Sequence, residues 1–350
     1  MENNMSADGQ NNSQSNVCLI GGGAWGSVFA NILTENHSRV MVWEKEQAIV
    51  DEMNANHTHP RHPGKKFSDK IIATSSFEKA TDNADIVFFC ISSQHLRSVV
   101  KEIKPFINYN QILVSLSKGI EVKTNKTMTQ IIKEELIADP QNLAAISGPN
   151  LSGELLEKKP AATVVASKSK EAIKAISSAV STSYFRPFAS SDVLGVELCG
   201  ALKNVIALAI GMAEGSEYGF NTQSTVITRG LEEIMRLGVS MGAQAKTFYG
   251  LAGIGDLIAT CMSPNSRNHS FGFAMGRGSS FEEAKKLSNG VAEGCMSAAA
   301  ALELGGEYLV PMPIAQGVYK VLFEGEKVSS LEDRLMSLPL YTEGLNSARV

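Results

Sequence analysis

From residue 17 to about 187, short unbroken apolar runs alternate with stretches whose apolar residues recur every three or four positions. The runs VCLIG (17–21), RVMVW (39–43), KIIAT (70–74), ADIVFFCIS (84–92), QILVSLS (111–117), LAAIS (143–147), AATVVA (161–166) and TSYFRPF (182–188) read as strands. A run such as IVFFCI has no polar face, which is the pattern of a strand covered by helices on both sides. Regular alternation of strand and helix predicts a doubly wound, mostly parallel sheet of the Rossmann type. Beyond residue 190 the pattern becomes helical and rich in Ala, Leu, Met and Gly, at 192–214, 222–238, 281–287, 294–304 and 313–323. The expected organisation is an α/β domain over 17–190 and an all-α domain over 191–345. The polar residues 1–16, MENNMSADGQNNSQSN, have the composition of a disordered extension.

The first strand runs into VCLIGGGAWG (17–26), a G-x-G-x-x-G sequence that opens a helix, SVFANILTEN. In that context Gly21 makes the tight turn, Gly23 lets the backbone approach a pyrophosphate, and Gly26 allows helix to pack on strand. The helix N-terminus adds free N–H donors and partial positive charge. A second strand ends at Trp43, with Glu44 at its tip, where an acidic group binds the ribose diol of a dinucleotide. Glu44 favours a free 2′-hydroxyl and its neighbour Lys45 could pair with a 2′-phosphate, so NAD and NADP both stay open.

Composition excludes more than it selects. The 350 residues carry 32 Lys and Arg against 36 Asp and Glu, a net charge of −4. No general attraction to nucleic acid or to an anionic membrane follows. Cys18, Cys90, Cys199, Cys261 and Cys295 are scattered without a C-x-x-C pair and read as free buried thiols. No secretory signal is read in the N-terminal residues. The apolar stretch GALKNVIALAIGMAEG is interrupted by Lys203 and Asn204 and reads as too short to span a bilayer. A cytoplasmic protein without stable membrane insertion is expected, and its Ala-, Gly- and Met-rich helical part would support a homodimer.

Candidate chemistry lies mainly in that helical part. Lys203 sits in a stretch that is apolar nearly all round, VELCGALKNVIALAIG, with Glu197 the one carboxylate nearby. It either reaches a surface or points into a cleft, where desolvation lowers its pKa and lets it exchange a proton near neutrality. Asp256, in LAGIGDLIATC, is poorly placed without a cation, and pairing with Lys203 would satisfy both. Ser266, Arg267 and Asn268 precede the helix HSFGFAMG, and either hold a phosphate there or cap the helix beside a solvated arginine. In the first domain, Lys118 (SLSKGIE) and Asn150 (SGPN) follow strand ends, where open α/β sheets bind ligands; Asn150 would bond a substrate or cap the next helix. The stretch HTHPRH (57–62), with Pro60 inside it, reads as a surface loop rather than a metal site, and no metal is expected.

In chain order, GGGAWGSVFA, FCISSQ, LSKGIE, ISGPN, ALKNVIALAIGMAEG, GIGDLIATC, SRN and GVAEG resemble the bacterial NAD(P)-dependent sn-glycerol-3-phosphate dehydrogenases, from about residue 16 to 340. The resemblance implies a Rossmann domain followed by a helical domain of the 6-phosphogluconate-dehydrogenase-like kind. It implies reversible reduction of dihydroxyacetone phosphate to sn-glycerol 3-phosphate, a precursor for phospholipid synthesis. By the same resemblance, Lys203 is the acid/base, Lys118 assists at the carbonyl and also meets the cofactor, and Gly148, Asn150, Asp256 and Thr260 meet the substrate. Ser266, Arg267 and Asn268 hold its phosphate, with Arg267 also near the cofactor. Ala24, Trp25, Ser152, Val291 and Glu293 line the cofactor site. The turn departs from the family's commoner GAG in reading GGG, and Glu44-Lys45 stands where several relatives carry His or Arg. A ketopantoate reductase or β-hydroxyacid dehydrogenase would use a similar helical-domain lysine, and a non-catalytic NAD-binding sensor would need the glycines but not Lys118, Lys203 and Asp256.

Overall fold

The computed structural model describes residues 15–263, 266–288 and 292–331. Residues 1–14 of the expected N-terminal extension, and the chain beyond 331, lie outside the described residues. Asn16, assigned to that extension, is held to Asp85: its N–H donates to the carboxylate (2.7 Å) and its carbonyl accepts from the Asp85 N–H (2.8 Å).

Eight strands form one sheet: β1 Val17–Ile20, β2 Val40–Trp43, β3 Ile71–Thr74, β4 Ile86–Phe89, β5 Ile112–Ser115, β6 Leu143–Ser147, β7 Ala161–Ser167 and β8 Phe185–Ser190. Their order is β3-β2-β1-β4-β5-β6-β7-β8. All neighbours are parallel except β6 and β7. The sheet is covered by α1 Ala24–Leu33, α2 Gln47–Asn56, α3 Phe77–Thr81, α4 Leu96–Ile103, α5 Met128–Leu136, α6 Ser152–Leu156 and α7 Lys170–Val180. Successive residues of β1 and β4 face opposite sides and are all buried, feeding two apolar clusters, one on each face of the sheet. That is why these runs show no alternation. The order reverses at β1 and β4, so the ends of those strands open a crevice for a ligand.

The remaining elements are helical: α8 Val193–Gly215, α9 Phe220–Ser240, α10 Ala245–Phe248, α11 Asp256–Met262, α12 Arg267–Gly276, α13 Phe281–Leu287, α14 Glu293–Glu307 and α15 Pro313–Phe323. Helix α8 is their axis, with all but three of its residues buried. The helical segment expected over 192–214 is present, but the apolar stretch read as too short to span a bilayer is part of a longer run: by length and composition the helix's 23 residues could cross a membrane. Instead, 83% of its apolar window is buried within the protein, so it serves as the core of the helical layer. Helices α8 and α12 meet through a G-x-x-x-G on each. A Cβ on Gly211 or Gly215 would lie 2.1 or 2.3 Å from the carbonyl oxygens of His269 and Phe273, and one on Gly272 or Gly276 equally close to those of Leu208 and Met212. Only backbone fits between them. All five cysteines are free; four are buried and Cys90 is partly exposed.

Candidate active site

The turn after β1 has the geometry of a dinucleotide cradle. Gly21 has φ +108°, a conformation that side chains resist, and its N–H and that of Gly22 donate to the carbonyl of Trp43 at the end of β2. A Cβ on Gly26 would sit 1.9 Å from the carbonyl oxygen of Gly21, so only glycine lets α1 descend onto the strand here. Gly23 has open space beside it, the room a pyrophosphate needs at a helix N-terminus. Ala24 and Trp25 form the first turn of α1 and are half-buried. Glu44 is buried beside Gly22, and its Oε1 accepts the N–H of Glu46 (3.1 Å), while Lys45 is exposed. These residues fit a bound dinucleotide, with Glu44 buried at the tip of β2 beside the turn.

The histidine loop is exposed at Pro60, Arg61 and 63–66 but buries one histidine. It is closed by Phe67 N–H donating to the carbonyl of His57 (2.8 Å), and His59 is only 2% exposed. His62 Nε2 donates to the carbonyl of Ala24 (2.8 Å), so the loop clamps the start of α1. Within this surface loop, tilted and edge-on contacts among His59, His62 and Phe67 supply a small core of their own. Among the described residues, no group of three His, Cys, Asp or Glu side chains could hold a metal ion.

The two layers meet at a buried charge cluster. Asp256 begins α11 directly after a π-helical turn, Leu251–Gly255, and is 2% exposed. Its Oδ1 accepts from Lys203 Nζ (2.6 Å) and its Oδ2 from Lys118 Nζ (2.7 Å). Lys203 lies inside α8 and also donates to Thr260 Oγ1 (2.6 Å). Lys118 follows β5 and also donates to the Gly148 carbonyl (3.0 Å). Each ammonium has used two of its three donors, leaving one for a ligand. Lys203 is buried where the two layers meet rather than at an open surface, and its mutual need with Asp256 is met as the sequence suggested. Burial is the main reason its pKa falls to about 8; Asp256 resists the fall and Lys118 adds to it. Burial would raise the Asp256 carboxyl, but Lys118 and Lys203 outweigh it and hold the group below the usual carboxylate range.

A third cation stands nearby. Ser266 caps α12, its hydroxyl accepting the N–H of His269, and Arg267 is the first residue of that helix. Arg267 is exposed and its guanidinium has no hydrogen-bond or ion-pair partner among the described residues. Ser266 capping and an unclaimed guanidinium are thus both present. Glu293, the first residue of α14, is held with a raised pKa by burial, against the pull of Arg267, Lys118 and Lys203. Asn268 bridges helices: its Nδ2 donates to Asn204 Oδ1 (3.0 Å) and its Oδ1 accepts the Gly294 N–H (2.8 Å).

Some expected residues stand apart. Asn150 is not the cap of the next helix, because Leu151 occupies that position. Its amide is committed to β7, donating to the Ala162 carbonyl (3.2 Å) and accepting from Thr163 Oγ1 (2.9 Å). Ser152 opens α6 half-buried, and no hydrogen bond ties it to the charge cluster. Val291 lies outside the described residues. Sequence reasoning missed Asn204, which ties α8 to Asn268, and Ser147 and Gly200, where α8 meets the strand ends; a Cβ on Gly200 would lie 2.8 Å from Ser147 Oγ and 3.4 Å from Lys118 Cγ. The one signal was their proximity to Lys203 in the chain, or to Gly148 for Ser147.

Comparison with known proteins bears on the family and the fold. Residues 16–173 match the family profile described as the NAD-dependent glycerol-3-phosphate dehydrogenase N-terminus, and residues 192–333 match its C-terminus. The chain is 46% identical over 318 residues to a glycerol-3-phosphate dehydrogenase [NAD(P)+] of Bifidobacterium longum subsp. infantis, covering 90% of this chain and 96% of the relative. A protein of the same description from Corynebacterium glutamicum is 43% identical over 322 residues, covering 91% and 97%. Among solved structures, a glycerol-3-phosphate dehydrogenase from Coxiella burnetii superposes with a TM-score of 0.88 at 29% identity, covering 93% of this chain and 99% of that one.

Proposed function

The chain belongs to the NAD-dependent glycerol-3-phosphate dehydrogenase family, and we propose that in the reversible reduction of dihydroxyacetone phosphate to sn-glycerol 3-phosphate Lys203 is the proton donor and Lys118 the second cation at the carbonyl. A bound nicotinamide supplies the hydride. As the carbonyl oxygen gains negative charge, the free N–H of each ammonium stabilises it, and Lys203 releases its proton to that oxygen. Asp256 holds both amines in place and keeps Lys203 charged against the cost of burial. Thr260 fixes the direction of the Lys203 ammonium. In the oxidative direction the same lysine, neutral, takes the hydroxyl proton.

The observation that carries these roles is the single buried carboxylate shared by two lysines, one from each layer. The substrate phosphate is assigned to the α12 N-terminus with Arg267, where an unpaired guanidinium and free N–H groups coincide. Binding there supplies energy remote from the reacting carbon, which orients the carbonyl. Asn268 contributes through the helix end it braces, and Glu293, with the glycine turn, belongs to the cofactor side. NAD and NADP both fit Glu44 and Lys45. The enzyme is read as cytoplasmic and homodimeric, needing no metal, and as supplying glycerophospholipid synthesis.

The test is loss of reduced-nicotinamide absorbance with purified protein and dihydroxyacetone phosphate, run with NADH and NADPH in parallel and against 2-oxo acids lacking phosphate. Turnover of the phosphate ester with either cofactor supports the assignment. Preference for an unphosphorylated oxo acid would sink it.

A further inference from the structure

Glu197 is a buried carboxylate that the reaction does not use. It lies on α8, 7% exposed, six residues before Lys203 and so about 9 Å along the axis. Its partners are all on the other layer. Oε1 accepts the Thr129 N–H (2.7 Å), and Oε2 accepts the hydroxyls of Thr127 (2.8 Å) and Thr129 (2.5 Å). Those threonines open α5, whose cap is Thr127.

The segment from Lys118 to Thr127 is a closed hairpin. An antiparallel bridge joins Ile120 to Thr127, and Glu121 N–H donates to the Lys126 carbonyl (3.0 Å). Arg97 grips its outer side through Glu121 (2.8 Å). Lys118 therefore stands at one end of a hairpin whose other end is the residue that Glu197 holds. Helix α8 touches this hairpin twice, at Glu197 and at Gly200, before presenting Lys203 one turn further on.

We propose that Glu197 is a positioning residue for the reaction: from α8 it pins the base of the Lys118 hairpin, so the helix that carries Lys203 also fixes where Lys118 stands. This rests on the roles given above to the two lysines. A merely space-filling residue would not need three hydrogen bonds converging on one carboxylate, one from the hairpin's last residue and two from the first turn of the helix it leads into. The geometry calls for an acceptor of this length; the negative charge is incidental, and burial already favours the protonated form.

The test compares steady-state kinetics of Glu197→Ala and Glu197→Gln, each alone and with Lys118→Met. In folded Glu197→Ala, kcat for dihydroxyacetone phosphate reduction should fall by about 10²-fold, the scale of an ångström-sized displacement of a catalytic group. KM for NADH should barely move. Glu197→Gln keeps the shape and an acceptor oxygen and should restore most of the turnover. In the Lys118→Met background the further loss from Glu197→Ala should vanish, because the group it displaces is gone. An undiminished loss in that background, or one confined to KM, overturns the proposal in favour of a general structural role. If Glu197→Ala does not fold, Thr129→Val decides instead: a several-fold fall in kcat, restored by Thr129→Ser, supports the pin, and an unchanged kcat overturns it. The assigned lysine roles are tested separately, since Lys118→Met and Lys203→Met must each lower kcat whatever Glu197 does.

Discussion

Replacing Asp256 by Asn removes one negative charge from between two ammonium groups while keeping the shape of the site. The carboxylate lies 2.6 and 2.7 Å from the two lysine nitrogens, and at 2% exposure little water screens it. Unit charges about 4 Å apart at an effective permittivity near 20 interact by about 4 kcal/mol. Breaking one side of a buried pair typically costs about 3–5 kcal/mol. The two lysines would then repel each other with no counter-charge between them. Lys203, already lowered to about 8 chiefly by burial, would give up its proton at still lower pH. With Lys203 as the proposed proton donor, reduction should slow as pH rises through the Lys203 pKa of about 8. Oxidation needs the neutral amine and rises over the same range. In Asp256→Asn both limbs should move to lower pH, and reductive kcat at neutral pH should drop by about 10²–10⁴-fold. Initial rates of NADH oxidation at saturating dihydroxyacetone phosphate, measured from mildly acid to alkaline pH, give the midpoint directly. A midpoint that stays put or moves to higher pH would refute the claim that Asp256 sustains the charge on Lys203.

Lys203→Met should lower turnover by about 10²–10⁴-fold with NADH affinity, followed by fluorescence, nearly unchanged. Loss of cofactor affinity would instead mark Lys203 as structural. Arg267→Ala should raise KM for dihydroxyacetone phosphate by about tenfold or more, a charge-assisted contact being worth about 1.5–3 kcal/mol; an unchanged KM would remove Arg267 from the phosphate site. Gly26→Ala would force a methyl to 1.9 Å from the Gly21 carbonyl oxygen, so α1 must lift from β1. Both Tm and dinucleotide affinity should fall, and a wild-type Tm would contradict the close packing.

The sheet was legible because a strand buried on both faces leaves an unbroken apolar run, and all eight runs became strands. Their ends were misjudged where apolar residues continue past the last paired position, as at Cys90 and Ile91 after β4. The region between 241 and 262 was opaque, since a Gly-rich π-helical turn carries neither helical nor strand spacing. Pairing of Lys203 with Asp256 could be inferred because each was costly alone in an apolar setting. That Lys118 would join them came from the family resemblance alone, since 138 residues separate it from Asp256 and nothing in its local pattern points to the carboxylate. The burial of His59 and the β7 partners of the Asn150 amide were not legible for a common reason: a polar side chain announces a hydrogen bond, not its partner.

The interlock of α8 and α12 has a consequence for which substrates can react. With carbonyl oxygens where side chains would otherwise interdigitate, the two helices cannot slide along each other by adjusting rotamers. Lys203 rides on one and Arg267 on the other, so the span between the proposed proton donor and the proposed phosphate grip is a length written in main chain. It acts as a ruler for the carbon skeleton that must bridge the two. A longer sugar phosphate would not be admitted by trimming side chains around the cleft; the helix bearing the grip would have to be re-seated, and four glycines oppose that.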